Sequence, residues 1–306
     1  MFWKSSPSFM ESEKTLLITG ATATGKSELA MDLARELNMG ILSADSMQVY
    51  RHLDIASAKP TLDEQRLVPH ACIDLVEPTE NFSVAQWLRE ADKVFNANPA
   101  KWIVAGGSGL YIKAFLHGLD KLPESPPDLR RKWEEIGHKG AVEQLIKRDS
   151  TLAAKIDLNN PRRVVRALVL LDQGMRLPRS SFALPKRNVI HIHLQRKPED
   201  LRKRIIDRTD KMFERGLLDE FRSLLDIGLC RQNTAWQAIG MDCLLSLCEG
   251  RISIREAKDS IVCKTWRFSR HQQTWFQKFT DLHVIHIEKS WDSEKILKMA
   301  KKMIFL

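Results

Sequence analysis

Nothing in this chain pairs its cysteines. There are five, Cys72, Cys230, Cys243, Cys248 and Cys263, an odd number with no C-x-x-C spacing. That excludes a disulfide framework and a zinc module and points to a reducing compartment, the cytoplasm. The opening stretch has Trp3-Lys4-Ser5-Ser6-Pro7 where a secretory signal needs an apolar core. No run approaches the ~20 apolar residues of a membrane span, so no membrane partner is expected. Internal repeats and low-complexity tracts are also missing. Acid is in short supply: 39 Asp and Glu face 48 Lys and Arg, a formal net charge of +9 that favours a polyanionic partner.

What is present begins with a phosphate-binding signature. Gly20-Ala21-Thr22-Ala23-Thr24-Gly25-Lys26-Ser27 fits G-x-x-x-x-G-K-[ST]. It follows the apolar run Thr15-Leu16-Leu17-Ile18-Thr19 and opens a segment with Leu29, Leu33, Ala34 and Leu37 at helical spacing. In that context the glycines let backbone N–H groups turn around an anion, and the helix N-terminus adds partial positive charge. Lys26 brings a point charge to phosphate oxygens and Ser27 a hydroxyl for Mg²⁺. A tight turn before an ordinary helix is the plain alternative. The motif specifies a polyphosphate, not a nucleoside triphosphate.

Residues 15–120 read as α/β, with further strands at Gly40-Ile41-Leu42-Ser43-Ala44 and Trp102-Ile103-Val104-Ala105 and a helix over Ser83–Phe95. Alternation of strand and helix predicts a parallel sheet with its site at the carboxyl ends of the strands, where Thr19, Asp45 and Gly106 fall. A break at Leu122-Pro123-Glu124-Ser125-Pro126-Pro127 opens a helical stretch, and Val189–Leu194 alternates as a returning strand. The expected organisation is an N-terminal extension (1–14), a P-loop α/β core (15–120 and 188–306, mostly helical after Pro198) and a helical insertion domain (121–187).

Asp45 closes the second strand and heads Asp45-Ser46-Met47-Gln48-Val49-Tyr50. A carboxylate there serves as general base, holds Mg²⁺ through water, or caps a helix. Gly106-Gly107-Ser108-Gly109 admits close backbone approach to a ligand, or is a strand–helix turn. Its strand lacks the terminal carboxylate of many nucleoside triphosphatases. Residues 161–190 hold Arg162, Arg163, Arg166, Arg176, Arg179, Lys186 and Arg187 against the single acid Asp172. This suits a phosphate backbone or a solvated basic face. Arg204 and Arg208 lie in a second basic helix whose acids suggest surface ion pairs. Phe268, Trp275 and Phe279 are expected in the core, and the polar residues near His271 on an exposed face.

In order along residues 15–279, these blocks resemble the tRNA dimethylallyltransferase (tRNA isopentenyltransferase) family. They are the phosphate loop, Ser43–Arg51, Leu53–Pro60, Val68-Pro69-His70, Gly106–Tyr111, Asn160–Leu168, Arg204–Arg208 and Arg267–Trp275. The resemblance implies a nucleotide-kinase-like P-loop core with a helical insertion. It implies transfer of a dimethylallyl group from dimethylallyl diphosphate to the exocyclic N6 of the adenosine 3′ of the anticodon. The implied cofactor is Mg²⁺, the implied partner a tRNA anticodon stem-loop, and the expected state a monomer. Carried over by residue, Asp45 is the general base, with Ser27 at diphosphate and metal and Arg208 on the diphosphate. Gly20, Ala21, Thr22, Ala23, Thr24, Gly25 and Lys26 complete the diphosphate site. Asp45, Ser46, Met47, Gln48, Ser108, Arg162, Arg163, Val164, Val165 and Arg166 match tRNA-contacting stretches. Ile239-Gly240-Met241-Asp242 departs from the family's I-G-Y-[KR], which bears on the grip on tRNA. The missing C-terminal zinc finger of eukaryotic relatives implies a bacterial type. The competing expectation is a P-loop small-molecule or nucleotide kinase, which requires ATP turnover. Prenylation of a free adenine nucleotide and non-catalytic tRNA binding are further alternatives.

Overall fold

The computed structural model describes residues 14–120, 122–175 and 186–305. Arg176, Arg179 and nearly all of the N-terminal extension lie outside the described residues.

The strands are β1 (Thr15–Gly20), β2 (Gly40–Ser43), β3 (His70–Ala71), β4 (Trp102–Gly106), β5 (Val189–Arg196) and β6 (His283–Ile287). They form one parallel sheet in the order β3-β2-β4-β1-β5-β6. Covered on both faces, the central strands read as continuous apolar runs, and all of β1 is buried. Its alternation still sorts two cores. Leu17 joins Leu42, Val104, Trp87, Phe115 and Phe221 on one face. Leu16 and Ile18 join Leu29, Leu33, Ile192 and Ile296 on the other.

The helices are α1 (Lys26–Leu37), α2 (Leu62–Leu67), α3 (Val84–Ala97), α4 (Gly109–His117), α5 (Pro127–Glu135), α6 (Gly137–Arg148), α7 (Ser150–Ala153), α8 (Pro161–Asp172), α9 (Pro198–Glu214), α10 (Leu217–Asp226), α11 (Met241–Cys248), α12 (Ile254–Phe276) and α13 (Ser293–Ile304). Capping boxes set the starts of α3 at Ser83 with Gln86 and of α12 at Ser253 with Glu256. Two strands, β3 and β6, fall where none was expected. The first is two residues long; the second is an edge strand inside a helical C-terminal stretch.

The chain divides into two compact units, residues 1–118 with 184–306, and residues 119–183. The smaller unit is helical, α5 to α8 packing around Trp133, Leu145, Val164, Leu168 and their neighbours. Asp172 ties it together, accepting hydrogen bonds from Trp133 Nε1 at 2.8 Å and Arg148 Nη1 at 2.6 Å.

Candidate active site

The phosphate loop leaves β1 and enters α1 through Gly25, whose φ of 101° is the left-handed conformation glycine accepts freely. Thr24, fully buried, closes the loop by donating its hydroxyl to the Ala21 carbonyl at 2.8 Å. Three arginines hold the loop. Arg196 Nε donates to the Thr24 carbonyl at 2.9 Å, Arg204 Nε to the Ala23 carbonyl at 2.8 Å, and Arg208 Nη1 to the Thr22 hydroxyl at 3.2 Å. A glutamine from α12 completes the frame: Gln272 accepts from the Thr22 N–H at 2.8 Å and donates to the Gly107 carbonyl at 2.9 Å. That N–H is therefore committed within the protein, while Thr22 still lines the cleft beside the loop.

Beside the loop lies a cleft of about 550 Å³. Lys26, Ser27, Asp45, Ser108 and Arg208 all line it, so four separate sequence blocks converge. β2, which leads into Asp45, is not the neighbour of β1, because β4 runs between them. The end of β4 packs directly on the residue before Asp45, with no room for a side chain. Gly106 is there, and a Cβ on it would lie 2.1 Å from the Ala44 carbonyl oxygen. Asp45 caps no helix: its Oδ1 accepts from the Met47 N–H at 2.9 Å in a local turn, and the Ser46 N–H donates to Ser108 Oγ at 3.2 Å. Burial first, and then the Arg208 guanidinium, lower the Lys26 ammonium to about 8 against the opposing pull of Asp45.

Next to Asp45, the Gln48 amide is oriented at both ends, accepting from Ser43 Oγ at 2.7 Å and donating to the Ala58 carbonyl at 3.1 Å. The wall bearing Ala58 is clamped by a residue that sequence reasoning missed. Glu220 of α10 accepts the consecutive N–H groups of Asp54, Ile55 and Ala56 at 2.9, 2.6 and 2.9 Å. Burial raises its carboxyl pKa while those three donors oppose the shift.

Several expectations are corrected. Val164 and Val165 are core residues of the smaller unit, 0% and 9% exposed, so their side chains are not an RNA surface. Arg166 Nη1 and Nη2 donate to Ser125 Oγ and the Pro123 carbonyl, binding the proline-rich strand of chain to α8. Arg187 belongs to the larger unit, paired with Asp92 at 2.6 Å and stacked on Phe115. Arg162 and Arg163 do face solvent. Phe268, expected in the core, is 43% exposed and lines the cleft. Gln272, expected on an exposed face, is buried. Asp200 and Asp210 pair with Arg196 of β5 and Lys258 of α12 rather than with the basic residues of their own helix. Asp242 is bound by Arg231 at 3.3 Å and Trp236 Nε1 at 3.1 Å, while Met241 is buried in the core.

Among the described residues no three His, Cys, Asp or Glu side chains gather into a metal cage. The donors on offer, the exposed Ser27 hydroxyl and the Asp45 carboxylate, suit Mg²⁺ carried in by a diphosphate and keeping most of its waters. No helix among the described residues is long and apolar enough to cross a membrane.

Comparison with known proteins places this arrangement. The IPP transferase family profile matches residues 48–279 and the isopentenyl transferase profile residues 13–70. The tRNA dimethylallyltransferase of Sulfurihydrogenibium sp. (strain YO3AOP1) is 37% identical over 282 residues, covering 90% of this chain and 92% of its own. The tRNA dimethylallyltransferase 2 of Syntrophus aciditrophicus is 38% identical, covering 96% and 98%. Among solved structures, the full-length tRNA isopentenylpyrophosphate transferase from Bacillus halodurans superposes with a TM-score of 0.69 at 31% identity, covering 96% of this chain and 97% of its own. A eukaryotic dimethylallyltransferase acting on tRNA shares the fold with a TM-score of 0.79 at 24% identity. With the family profile over most of its length and relatives matched nearly end to end, the chain belongs to the IPP transferase family, alongside the bacterial tRNA dimethylallyltransferases.

Proposed function

We propose that this protein, acting in the cytoplasm as a monomer, transfers a dimethylallyl group from dimethylallyl diphosphate to N6 of the adenosine 3′ of the anticodon in tRNA. The observation that carries the reading is the meeting of Lys26, Ser27, Arg208 and Asp45 around one cleft. The cleft thus offers cations and a hydroxyl for a diphosphate, and a carboxylate for a proton.

An adenine amino group is a weak nucleophile because its lone pair is delocalised into the ring, and it becomes acidic only as the new bond forms. As the N6–C1 bond forms and the C1–O bond of the donor breaks, the N6 proton passes to the Asp45 carboxylate. The electron pair of the broken bond leaves with diphosphate. Lys26, Arg208 and the inward N–H groups at the start of α1 stabilise the growing charge. Ser27 and Asp45 would hold Mg²⁺ arriving with the diphosphate, and the ion would supply further charge compensation. Ile239 and Met47 offer the five-carbon chain apolar surface, and Phe268 offers the adenine a stacking face. The base leaves the anticodon-loop stack to reach the cleft, as bases acted on by enzymes generally do. Arg162 and Arg163 of the smaller unit, with Ser46 and Gln48, are assigned to RNA contact.

The test is to incubate the protein with an unmodified anticodon stem-loop, dimethylallyl diphosphate and Mg²⁺. The expected product is the RNA heavier by one C5 unit at that adenosine. ATP hydrolysis or phosphoryl transfer without prenylation would overturn the reading in favour of a kinase.

A further inference from the structure

Arg204, Arg208, Lys211 and Arg215 recur along α9 and its C-terminal cap at spacings of four, three and four, which sets them on one helix face. At 1.5 Å per residue the row extends over roughly 16 Å. Its two halves are used differently. Arg204 and Arg208 are partly buried and held by the phosphate loop, the first on the Ala23 carbonyl with Glu28 at 3.6 Å, the second on Thr22. Lys211 and Arg215 are exposed, and among the described residues neither side chain makes an ion pair or hydrogen bond.

All four line a second basin of about 380 Å³ beside the loop. Its other charged residues are Lys26, Glu28 and Asp207, so five cations face two anions there. Glu28 is already engaged by Arg204. Arg215, like Lys26, Ser27 and Arg208, lines both this basin and the larger cleft with Asp45, so the two are continuous. Its place is set by backbone. It caps α9, and Gly216 follows at φ 92° to start α10, the helix whose Glu220 clamps the cleft wall. Unpaired exposed cations at these positions, continuous with a site that takes a base attached to a polyanion, suit an anion larger than the donor's diphosphate.

We propose that Lys211 and Arg215 form a phosphodiester-binding ledge for the RNA substrate, gripping its backbone next to the nucleotide whose base enters the cleft. This rests on the RNA alkyltransferase reading above. Phosphate contacts position a nucleic acid without reading its sequence. The ledge therefore contributes to affinity for every anticodon stem-loop alike and not to the choice among them.

The experiment measures binding of two different unmodified anticodon stem-loops across a salt series for the wild type, Lys211→Gln, Arg215→Gln and Arg215→Lys. Donor KM is determined for each in parallel, and circular dichroism confirms folding. Each Gln variant is expected to weaken both RNAs several-fold and to reduce the salt slope by about 0.7–0.9, one phosphate contact. Arg215→Lys is expected to restore the slope, and donor KM to stay within twofold of wild type. Unchanged salt slopes would overturn the ledge. So would a raised donor KM with unchanged RNA affinity, which assigns the pair to diphosphate. Failure of the alkyltransferase reading would show differently: the wild type itself would leave the RNA unmodified.

Discussion

At the scale of single residues, Asp45 and Lys26 carry opposite demands in one cleft. The Asp45 carboxylate must accept a proton while its Oδ1 also takes the Met47 N–H. Asparagine keeps that acceptor and loses the base. Asp45→Asn is therefore expected to fold and to bind RNA as the wild type does while kcat falls by ~10²–10⁴. Single-turnover rates with saturating stem-loop test this; a rate within a few-fold of wild type would make Asp45 a turn-forming residue only. Lys26 makes a pH prediction. Its ammonium is lowered to about 8, so it is charged below that pH and neutral above it. Donor KM should be insensitive to this group below pH 8 and climb by about tenfold per unit above it, until bound diphosphate raises the lysine in turn. In Lys26→Met that break should vanish and KM stay high throughout. The block holding Lys26 was legible because a strand, a glycine-rich loop and a helix start leave local marks, and the one holding Asp45 because it directly follows an apolar strand. Glu220 was not legible, because nothing near it in sequence says that three N–H groups 164 to 166 positions away need an acceptor.

At the scale of elements, α12 acts as a strut. Its residues 268, 272, 275 and 276 follow helical spacing, so an apolar stripe was legible. The glutamine within that stripe was not, because its partners lie 250 and 165 positions away in the phosphate loop and at Gly107. Trp275 packs so closely on the start of α4 that a Cβ at Gly109 would fall 1.9 Å from its ring. Gly109→Ala must push α12 outward, and overpacking of this kind costs about 1–3 kcal/mol. The expected result is a lower Tm together with a raised donor KM, since the same helix holds Thr22 through Gln272. A lower Tm with donor KM unchanged would show that the strut does not reach the loop. The smaller unit gives a contrasting pair. Arg166 is spent on Ser125 and Pro123, so Arg166→Ala should lose about 1 kcal/mol of stability and leave the RNA salt slope alone. Arg163→Ala, at an exposed position, should do the reverse. Charge counting along 161–190 could not separate them, because the carbonyl and hydroxyl that occupy Arg166 arrive from another segment.

At the scale of the whole molecule, the sheet was legible wherever a strand is buried on both faces and marked by a continuous apolar run, as in β1 and β4. It was lost at the edges, where β3 is two residues long and β6 exposes His283 and His286. Between β1 and β5, deep in that sheet, sits a feature that concerns stability rather than chemistry. Thr19 Oγ1 lies 2.8 Å from His191 Nε2 and 2.9 Å from His193 Nδ1, with both rings buried against Phe276. A single hydroxyl donates to one ring and accepts from the other, an arrangement that suits two neutral imidazoles. Burial, then mutual repulsion and repulsion from His283, lowers His191 to about 3; burial, then repulsion from His286, lowers His193 to about 4. The unfolded chain takes up these protons near the ordinary 6.5. The pair's contribution to stability is therefore complete above pH 6.5 and is lost progressively as pH falls from there toward 4 and then 3. With at most two protons involved, the slope from this pair reaches about 2.7 kcal/mol per pH unit. Chemical denaturation of the wild type at intervals between pH 7 and 4 should show the loss. A variant with leucine at both positions, itself altered in stability at pH 7, should lose less on the way down. Parallel curves for the two proteins would mean that carboxylates elsewhere, not these histidines, set the acid limit of the fold.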